Sequence, residues 1–321
     1  MLRQTTASFL LLFASCDGLA QDSVPEWLAK MDASQRSLNY EGVLSYQYAG
    51  SAHSLADRVY GLRVRHYIKD GLEYDHIETL DGPEQEIVRE GHDVNCVHAG
   101  PKLIQRSMQS SQSGYKRYYD VDVGGAGRVA DRDTVRLEIR PKDVYRLGYL
   151  LSLDKETGLL LQSEIIDQQG RVLERFQYLM VNLEPSSSDE LTAQRLMPSQ
   201  ARSQLASQEN APHLETPDGR DAEPPPWQPS WLPAGFTLAQ SDGQFPEGLS
   251  YTDGMAVFSI FVDSLMAANN DTLLATEGVQ RRGASVSYTT TLPDHQALVT
   301  VVGEIPLLTA RQVATSLVWV N

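Results

Sequence analysis

The stretch Tyr149-Leu-Leu-Ser-Leu-Asp154-Lys-Glu-Thr157-Gly158-Leu-Leu-Leu-Gln-Ser-Glu-Ile-Ile166-Asp167-Gln-Gln-Gly170-Arg171-Val-Leu-Glu-Arg-Phe-Gln-Tyr-Leu-Met180 decides the fold. Two polar turn signals cut it, Lys155-Glu156-Thr157-Gly158 and Asp167-Gln168-Gln169-Gly170. Each ends in glycine, the residue that most easily reverses a chain. The runs they leave, Tyr149 to Asp154, Leu159 to Ile166 and Arg171 to Met180, have strand length. Three strands joined by two hairpins form an antiparallel meander.

Further strands lie on the N-terminal side. Thr134 to Arg140 alternates Val135, Leu137 and Ile139 with Arg136, Glu138 and Arg140, the pattern of a half-buried strand. Tyr118 to Val123 is apolar and acidic. Gly124-Gly125-Ala126-Gly127 follows it without a lysine at Walker spacing, which excludes a phosphate loop. Gln105 to Lys116 is polar and reads as a loop. Glu73 to Leu80 and Glu86 to Glu90 read as strands, and Cys96 sits in another. Leu55 to Tyr67 alternates, with Val59, Gly61, Arg63 and Arg65 on one face. From Tyr40 the period is again two: Leu44, Tyr46 and Tyr48 form an aromatic-rich face against Val43, Ser45 and Gln47. Val24 to Ser37 reads instead as an amphipathic helix. Ser23 caps it, Pro25 fits the first turn, and Trp27, Leu28 and Met31 share a face with Leu38.

On the C-terminal side, residues 184–226 are rich in Ser, Gln and Pro and end in Pro224-Pro225-Pro226, as a tether does. Leu191 to Leu205 has the composition for a short helix inside it. Beyond the tether, Tyr251-Thr-Asp253-Gly254 turns into a largely buried strand, Met255 to Val262. In that strand Phe258 and Phe261 read as core. Ser285 to Thr291 and Leu298 to Gly303 are two more strands, and Ile305 to Trp319 reads as a closing helix. The expected fold class is therefore α+β. It divides into a signal peptide (1–20), a first domain (21–183), a linker (184–226) and a small second domain (227–321).

The signal peptide rests on Arg3, the short apolar run Phe9 to Ala14, and small residues at Gly18 and Ala20 before Gln21. The apolar run is too short to span a bilayer. The mature chain is expected to be soluble. An alternative stays open, because Phe13-Ala14-Ser15-Cys16 is similar to a lipobox and acylation of Cys16 would anchor the chain. Cys16 and Cys96 are the two cysteines of the 321 residues, so cleavage after Ala20 leaves Cys96 no internal partner.

A formal charge of −15 disfavours nucleic acid. The seven histidines form no HExxH pair, which argues against zinc, and no Gly-x-Ser-x-Gly elbow is present. No catalytic constellation, metal site or cofactor motif emerges. The expectation is a binding protein and not an enzyme.

Three stretches carry a resemblance. The first is Glu26-Trp27-Leu28 with Ser37-Leu-Asn-Tyr40-Glu-Gly42-Val-Leu. The second is Asp154-Lys-Glu-Thr157-Gly158-Leu-Leu-Leu161 through Asp167-Gln-Gln-Gly170-Arg171-Val-Leu-Glu174. The third is Trp231-Leu-Pro233-Ala-Gly235-Phe236 with Tyr251-Thr-Asp253-Gly254 and Phe258-Ser-Ile-Phe261-Val. In order and spacing they resemble the RseB/MucB family, periplasmic sigma-E factor regulatory proteins of Gram-negative bacteria. The resemblance implies a LolA/LolB-like first domain, a half-open barrel of curved antiparallel sheet covered by helices. A smaller α/β domain with antiparallel strands and a closing helix follows.

The resemblance also implies a partner, the periplasmic region of an RseA/MucA-type membrane anti-sigma factor. Binding shields that region from a DegS-type site-one protease, and lipopolysaccharide or lipid fragments release it. The alternative reading is a periplasmic lipid or lipoprotein carrier. Self-association into a homo-oligomer stays open. Candidate cavity residues are Trp27, Leu28, Met31, Tyr46 and Tyr48, all of which would also serve as ordinary core. Arg58, Arg63 and Arg65 are candidates for a lipid head group, although a basic strand face is more often simply solvated.

Overall fold

A computed structural model describes residues 23–49, 58–69, 72–81, 86–90, 115–184, 225–239, 248–265 and 277–320. The signal segment with Cys16, the strand expected at Cys96, nearly all of the loop 105–116, and the linker with its helix at 191–205 lie outside these residues. Helix α1 spans Val24–Ser37. Its start is a capping box: the Ser23 side chain accepts from the backbone at Glu26, and the Glu26 carboxylate accepts from the Ser23 backbone N–H. Those bonds hold the Glu26 carboxyl below its ordinary pKa. Trp27, Leu28, Met31 and Ser34 are its buried residues, one stripe at helical spacing.

Nine strands form the larger sheet: β1 (Tyr40–Tyr48), β2 (Arg58–Lys69), β3 (Leu72–Thr79), β4 (Glu86–Glu90), β5 (Tyr119–Val129), β6 (Arg132–Pro141), β7 (Gly148–Asp154), β8 (Leu160–Ile166) and β9 (Val172–Asn182). Their order is β4-β3-β2-β1-β9-β8-β7-β6-β5, antiparallel throughout. It amounts to two meanders, β1 to β4 and β5 to β9, sewn together by the β1–β9 pair. The three strands anticipated at 149–180 are β7, β8 and β9. Strand β5 does not stop at Val123. It continues through Gly124 and Gly125, where the register with β6 shifts and the ladder is interrupted. A bulge absorbs the glycines without ending the strand.

The hairpin between β7 and β8 shows why its sequence has the form it has. Asp154, its side chain only 2% exposed, accepts from Arg132 Nε (2.8 Å) and Nη2 (3.0 Å). It also accepts from the Thr157 backbone N–H (2.8 Å) and hydroxyl (2.6 Å). Gly158 has φ +81, and a Cβ there would lie 2.6 Å from Lys30 Cγ and 2.9 Å from the Lys30 carbonyl. Glycine therefore serves both the turn and the close passage of α1. Lys30 Nζ completes the contact by donating to the Lys155 carbonyl at 2.6 Å.

Burial pushes the Asp154 carboxyl up, but the Arg132 and Thr157 bonds outweigh it and hold the group below its ordinary pKa. A carboxyl depressed on folding contributes stability above its unfolded pKa and loses it as pH falls through the folded value. Asp154→Asn is expected to cost about 2–3 kcal/mol at pH 7. Urea unfolding at pH 7 and pH 3 checks this: the gap between wild type and variant should narrow at the lower pH.

The remaining elements are β10 (Trp227–Pro229), β11 (Thr237–Leu238), β12 (Gly248–Thr252), β13 (Val257–Ser264), β14 (Gly278–Arg282), β15 (Ser285–Leu292), β16 (Ala297–Gly303), helix α2 (Leu307–Ala314) and β17 (Leu317–Trp319). Six of them form an antiparallel sheet of order β11-β12-β13-β16-β15-β14, while β10 pairs with β17. Buried Ala310, Val313 and Ala314 of α2 join Phe258, Ile260, Val286, Val299 and Val301 in one core. Phe261 has the other parity and is only half-buried. The closing helix expected over 305–319 is much shorter than its sequence pattern suggested. The Thr315 hydroxyl bonds the Arg311 and Gln312 carbonyls, and the Ser316 hydroxyl bonds that of Val313. These bonds end the helix, and Leu317-Val-Trp319 pairs back onto Trp227 as a strand. Among the described residues, no helix is long and apolar enough to cross a membrane.

Candidate functional site

Cross-strand register puts one apolar row after another on a single face of the larger sheet. Leu44 lies opposite Leu62 and Tyr178, and Tyr46 opposite Tyr60 and Phe176. Phe176 lies opposite Ser163, Ser163 opposite Leu151, and Leu151 opposite Leu137. Helix α1 covers part of this face: Trp27, Leu28 and Met31 pack with Val135, Leu137, Ile139, Tyr149, Leu151 and Leu153. The sheet also holds the helix through His66, whose Nε2 is 2.9 Å from the Gln35 carbonyl and whose Nδ1 is 2.7 Å from Asp75.

All five candidate cavity residues are buried on this face, in two groups. Trp27, Leu28 and Met31 belong to one cluster. Tyr46 and Tyr48 belong to another, with Leu44, Val64, Leu161 and Tyr178. Phe176 packs against both. Burial, then the Glu174 carboxylate that its hydroxyl meets, push the Tyr46 phenol far above its ordinary pKa. Inside the face, Trp27 Nε1 and the Tyr149 hydroxyl are buried with no hydrogen-bond partner among the described residues. Buried donors of this kind are usually met by an acceptor, water and ligand oxygens included.

The arginines do not stay together. Arg58 lies opposite Tyr48 and shares the covered face. Arg63 and Arg65 have the opposite parity and lie on the other face. There Arg63 pairs with Glu78 (2.8 Å), and Arg65 with Glu41 (3.2 Å) and His76 Nδ1 (3.1 Å). Cross-strand partners already satisfy both, so the geometry keeps Arg63 and Arg65 away from the apolar face. Among the described residues, no three His, Cys, Asp or Glu side chains are grouped to hold a metal ion.

The second unit closes one end of the same face. Its Met255 and Ala284 are buried within the cluster that contains Leu137 and Tyr149. The joint centres on Arg146, in the loop between β6 and β7, which is completely buried. Its Nε donates to Asp253 at 2.5 Å, Nη1 to Asp143, and Nη2 to the Ala234 carbonyl. The guanidinium lies 4.6 Å from the Tyr118 ring centre, 5.1 Å from that of Phe236 and 5.9 Å from that of Tyr119. Asp253 also accepts from the Tyr119 hydroxyl (3.1 Å) and from the Met255 and Ala256 N–H groups (2.9 and 2.8 Å). Burial, and then the Asp253 charge, push the Tyr119 phenol well up.

Around this centre, Thr309 Oγ1 donates to the Tyr145 carbonyl at 2.9 Å, and Tyr145 meets Trp231 edge-on at 5.1 Å. The motif Trp231 to Phe236 and the turn Tyr251 to Gly254 thus build a joint. Sequence reasoning missed Arg146 entirely. A single arginine between two strands has no local signature, and two of its partners, Asp253 and Ala234, lie more than 80 residues away in sequence.

Comparison with known proteins agrees with this architecture. Residues 23–200 match the MucB/RseB N-terminal domain model, and residues 221–318 match the MucB/RseB C-terminal domain model. The chain is 31% identical to the sigma factor AlgU regulatory protein MucB of Pseudomonas aeruginosa, over 97% of each chain. It is 28% identical to the sigma-E factor regulatory protein RseB of Escherichia coli K12, over 96% of this chain and 94% of that one. A crystal structure of MucB in complex with MucA(peri) superposes with a TM-score of 0.65 at 28% identity, covering 93% of this chain and 100% of that one. The MucA/MucB complex of Pseudomonas aeruginosa gives 0.64 at 28% identity, over 92% and 98%. With both family domains matched in order along nearly its whole length, the chain belongs to the MucB/RseB family.

Proposed function

We propose that this chain is a periplasmic regulator that binds the periplasmic region of a MucA/RseA-type anti-sigma factor. Binding shields that region from site-one proteolysis, and lipopolysaccharide or another lipid releases it, which couples envelope damage to the sigma factor. The carrying observation is the full-length likeness to a MucB solved with MucA(peri). The division at 21–183, 184–226 and 227–321, and a LolA/LolB-like half-barrel for the first part, belong to the same reading.

The lipid arm draws its support from the covered face. That face is apolar, holds Trp27, Leu28, Met31, Tyr46 and Tyr48, and contains two donors without a partner among the described residues. Release by lipid requires that lipid and anti-sigma segment favour different states of the chain. A face sealed at one end by a separate unit supplies two such states, docked and undocked. A carrier needs only the face and has no use for the buried Arg146 joint.

Isothermal titration calorimetry of the chain from Gln21 with the anti-sigma periplasmic segment tests the reading. Saturable binding that weakens when the chain is preloaded with lipopolysaccharide is expected. Lipid binding with no heat from the segment would move the carrier reading ahead.

A further inference from the structure

Two arginines from different units flank one pair of rings. Arg58 of β2 lies directly opposite Tyr48 of β1. The Tyr48 and Tyr60 rings stack at 5.9 Å with 17° between planes, and their hydroxyls are 3.3 Å apart. Arg58 stands beside the Tyr60 hydroxyl, which raises the pKa of its guanidinium. From the second unit, the Arg282 guanidinium lies 5.0 Å from the Tyr48 ring centre.

The turn that carries Arg282 is fixed by backbone contacts. Gly283 N–H donates to the Ala49 carbonyl at 3.3 Å, and Ala284 N–H to Glu174 Oε2 at 3.3 Å. The approach is so close that a Cβ on Gly283 would lie 2.9 Å from Tyr48 Cβ.

Neither arginine has a carboxylate partner among the described residues, whereas Arg63, Arg65, Arg132, Arg146 and Arg175 all do. Glu174, the carboxylate at this edge, is engaged by the Tyr46 hydroxyl and the Ala284 N–H. The Tyr60 phenol registers the positive field. The Tyr48 hydroxyl and then the neighbouring Arg58 lower its pKa, and the charges of Arg58 and Arg282 add to the effect. In a chain of net charge −15, this is a local focus for an anion.

We propose that Arg58 and Arg282 form a two-armed oxyanion clamp for the phosphate head group of an amphiphile whose tail lies on the covered face. The inference rests on the reading that this face takes a lipid. Two guanidinium forks grip a phosphate from both sides, and the Tyr60 hydroxyl supplies a further donor. Because one arm belongs to each unit, the bound anion ties the units together. Lipid occupancy and docking are then linked, each favouring the other.

The test uses calorimetry with dodecyl phosphate, dodecyl maltoside and inorganic phosphate, all below micelle-forming concentrations. It compares the chain from Gln21 with its Arg58→Gln and Arg282→Gln variants. Both sites are exposed, so both variants should fold. Dodecyl phosphate is expected to bind, and each substitution to weaken it about tenfold, as for loss of one charge-assisted bond. Maltoside binding should be the same in all three proteins, and inorganic phosphate should bind far more weakly than dodecyl phosphate.

Unchanged dodecyl phosphate affinity in Arg282→Gln overturns the clamp. If maltoside still binds in that case, the lipid reading of the face survives. Inorganic phosphate binding as tightly as dodecyl phosphate removes the tail from the proposal and makes free phosphate the ligand. If neither amphiphile binds the wild type, the covered-face reading fails and the clamp falls with it.

Discussion

Arg146→Met is expected to destabilise the chain by about 3–5 kcal/mol, the usual cost of removing one partner from a buried ion pair. Arg146 is completely buried, and the Asp253 side chain it meets is 0% exposed. Without the guanidinium, Asp253 keeps its backbone donors and the Tyr119 hydroxyl but loses its only counter-charge among the described residues. The Ala234 carbonyl also loses a donor. Methionine fills part of the volume, so the loss isolates charge and hydrogen bonding from packing. A fall in Tm on the order of 10 °C follows from the entropy of unfolding a unit of this size.

Adding Asp253→Asn should recover part of that loss. The introduced amide oxygen can still accept from the Met255 and Ala256 N–H groups, while no buried charge is left unpaired. Scanning calorimetry of the single and double variants checks both statements. An Arg146→Met protein melting with the wild type would mean that the joint does not form in solution.

Gly235→Ala should cost about 2–4 kcal/mol and loosen the joint from its other side. Gly235 has φ +94, a conformation L-residues adopt only under strain. A Cβ there would lie 2.2 Å from Tyr118 Cε2 and 2.4 Å from its Cζ. The Tyr118 ring is also the nearest of the three rings around the Arg146 guanidinium, so displacing it disturbs the ion pair. Overpacking and backbone strain together give the stated range. Tyr118→Ala should relieve the overpacking but not the strain, so the double variant should be more stable than the sum of the singles. Urea denaturation of the four proteins measures this, and strict additivity would show that the two residues do not meet.

What was legible in the sequence was local. The meander over 149–180 announced itself by two glycine turns and strand-length runs. The cap at Ser23 and the stripe Trp27, Leu28, Met31 followed from helix-start signals and helical spacing, while the reciprocal bond to Glu26 came with the structure. Parity grouped Arg63 with Arg65 on one side of their strand, since side chains two apart share a side, but that this side faces away from Tyr46 and Tyr48 follows only from the β1–β2 register. Their acidic partners, Glu78 and Glu41, lie on neighbouring strands and become visible only with the register.

The misreadings have the same root. Residues 305–319 carry helical spacing, but Thr315 and Ser316 turn their hydroxyls onto the last carbonyls, and Trp227 offers a strand to pair with. The joint was least legible of all. Asp253 read as a turn residue, which it is, and Gly235 only as one position of the motif Trp231 to Phe236. Their second roles, with Arg146 and Tyr118, arise only when residues far apart in sequence are brought together.

Protease protection tests the central claim most directly. The chain from Gln21 is mixed with the periplasmic segment of a MucA-type anti-sigma factor, and activated site-one protease is added. Cleavage should slow in proportion to the complex formed, and lipopolysaccharide should restore it. Cleavage at the full rate with the segment saturated by this chain would contradict the account.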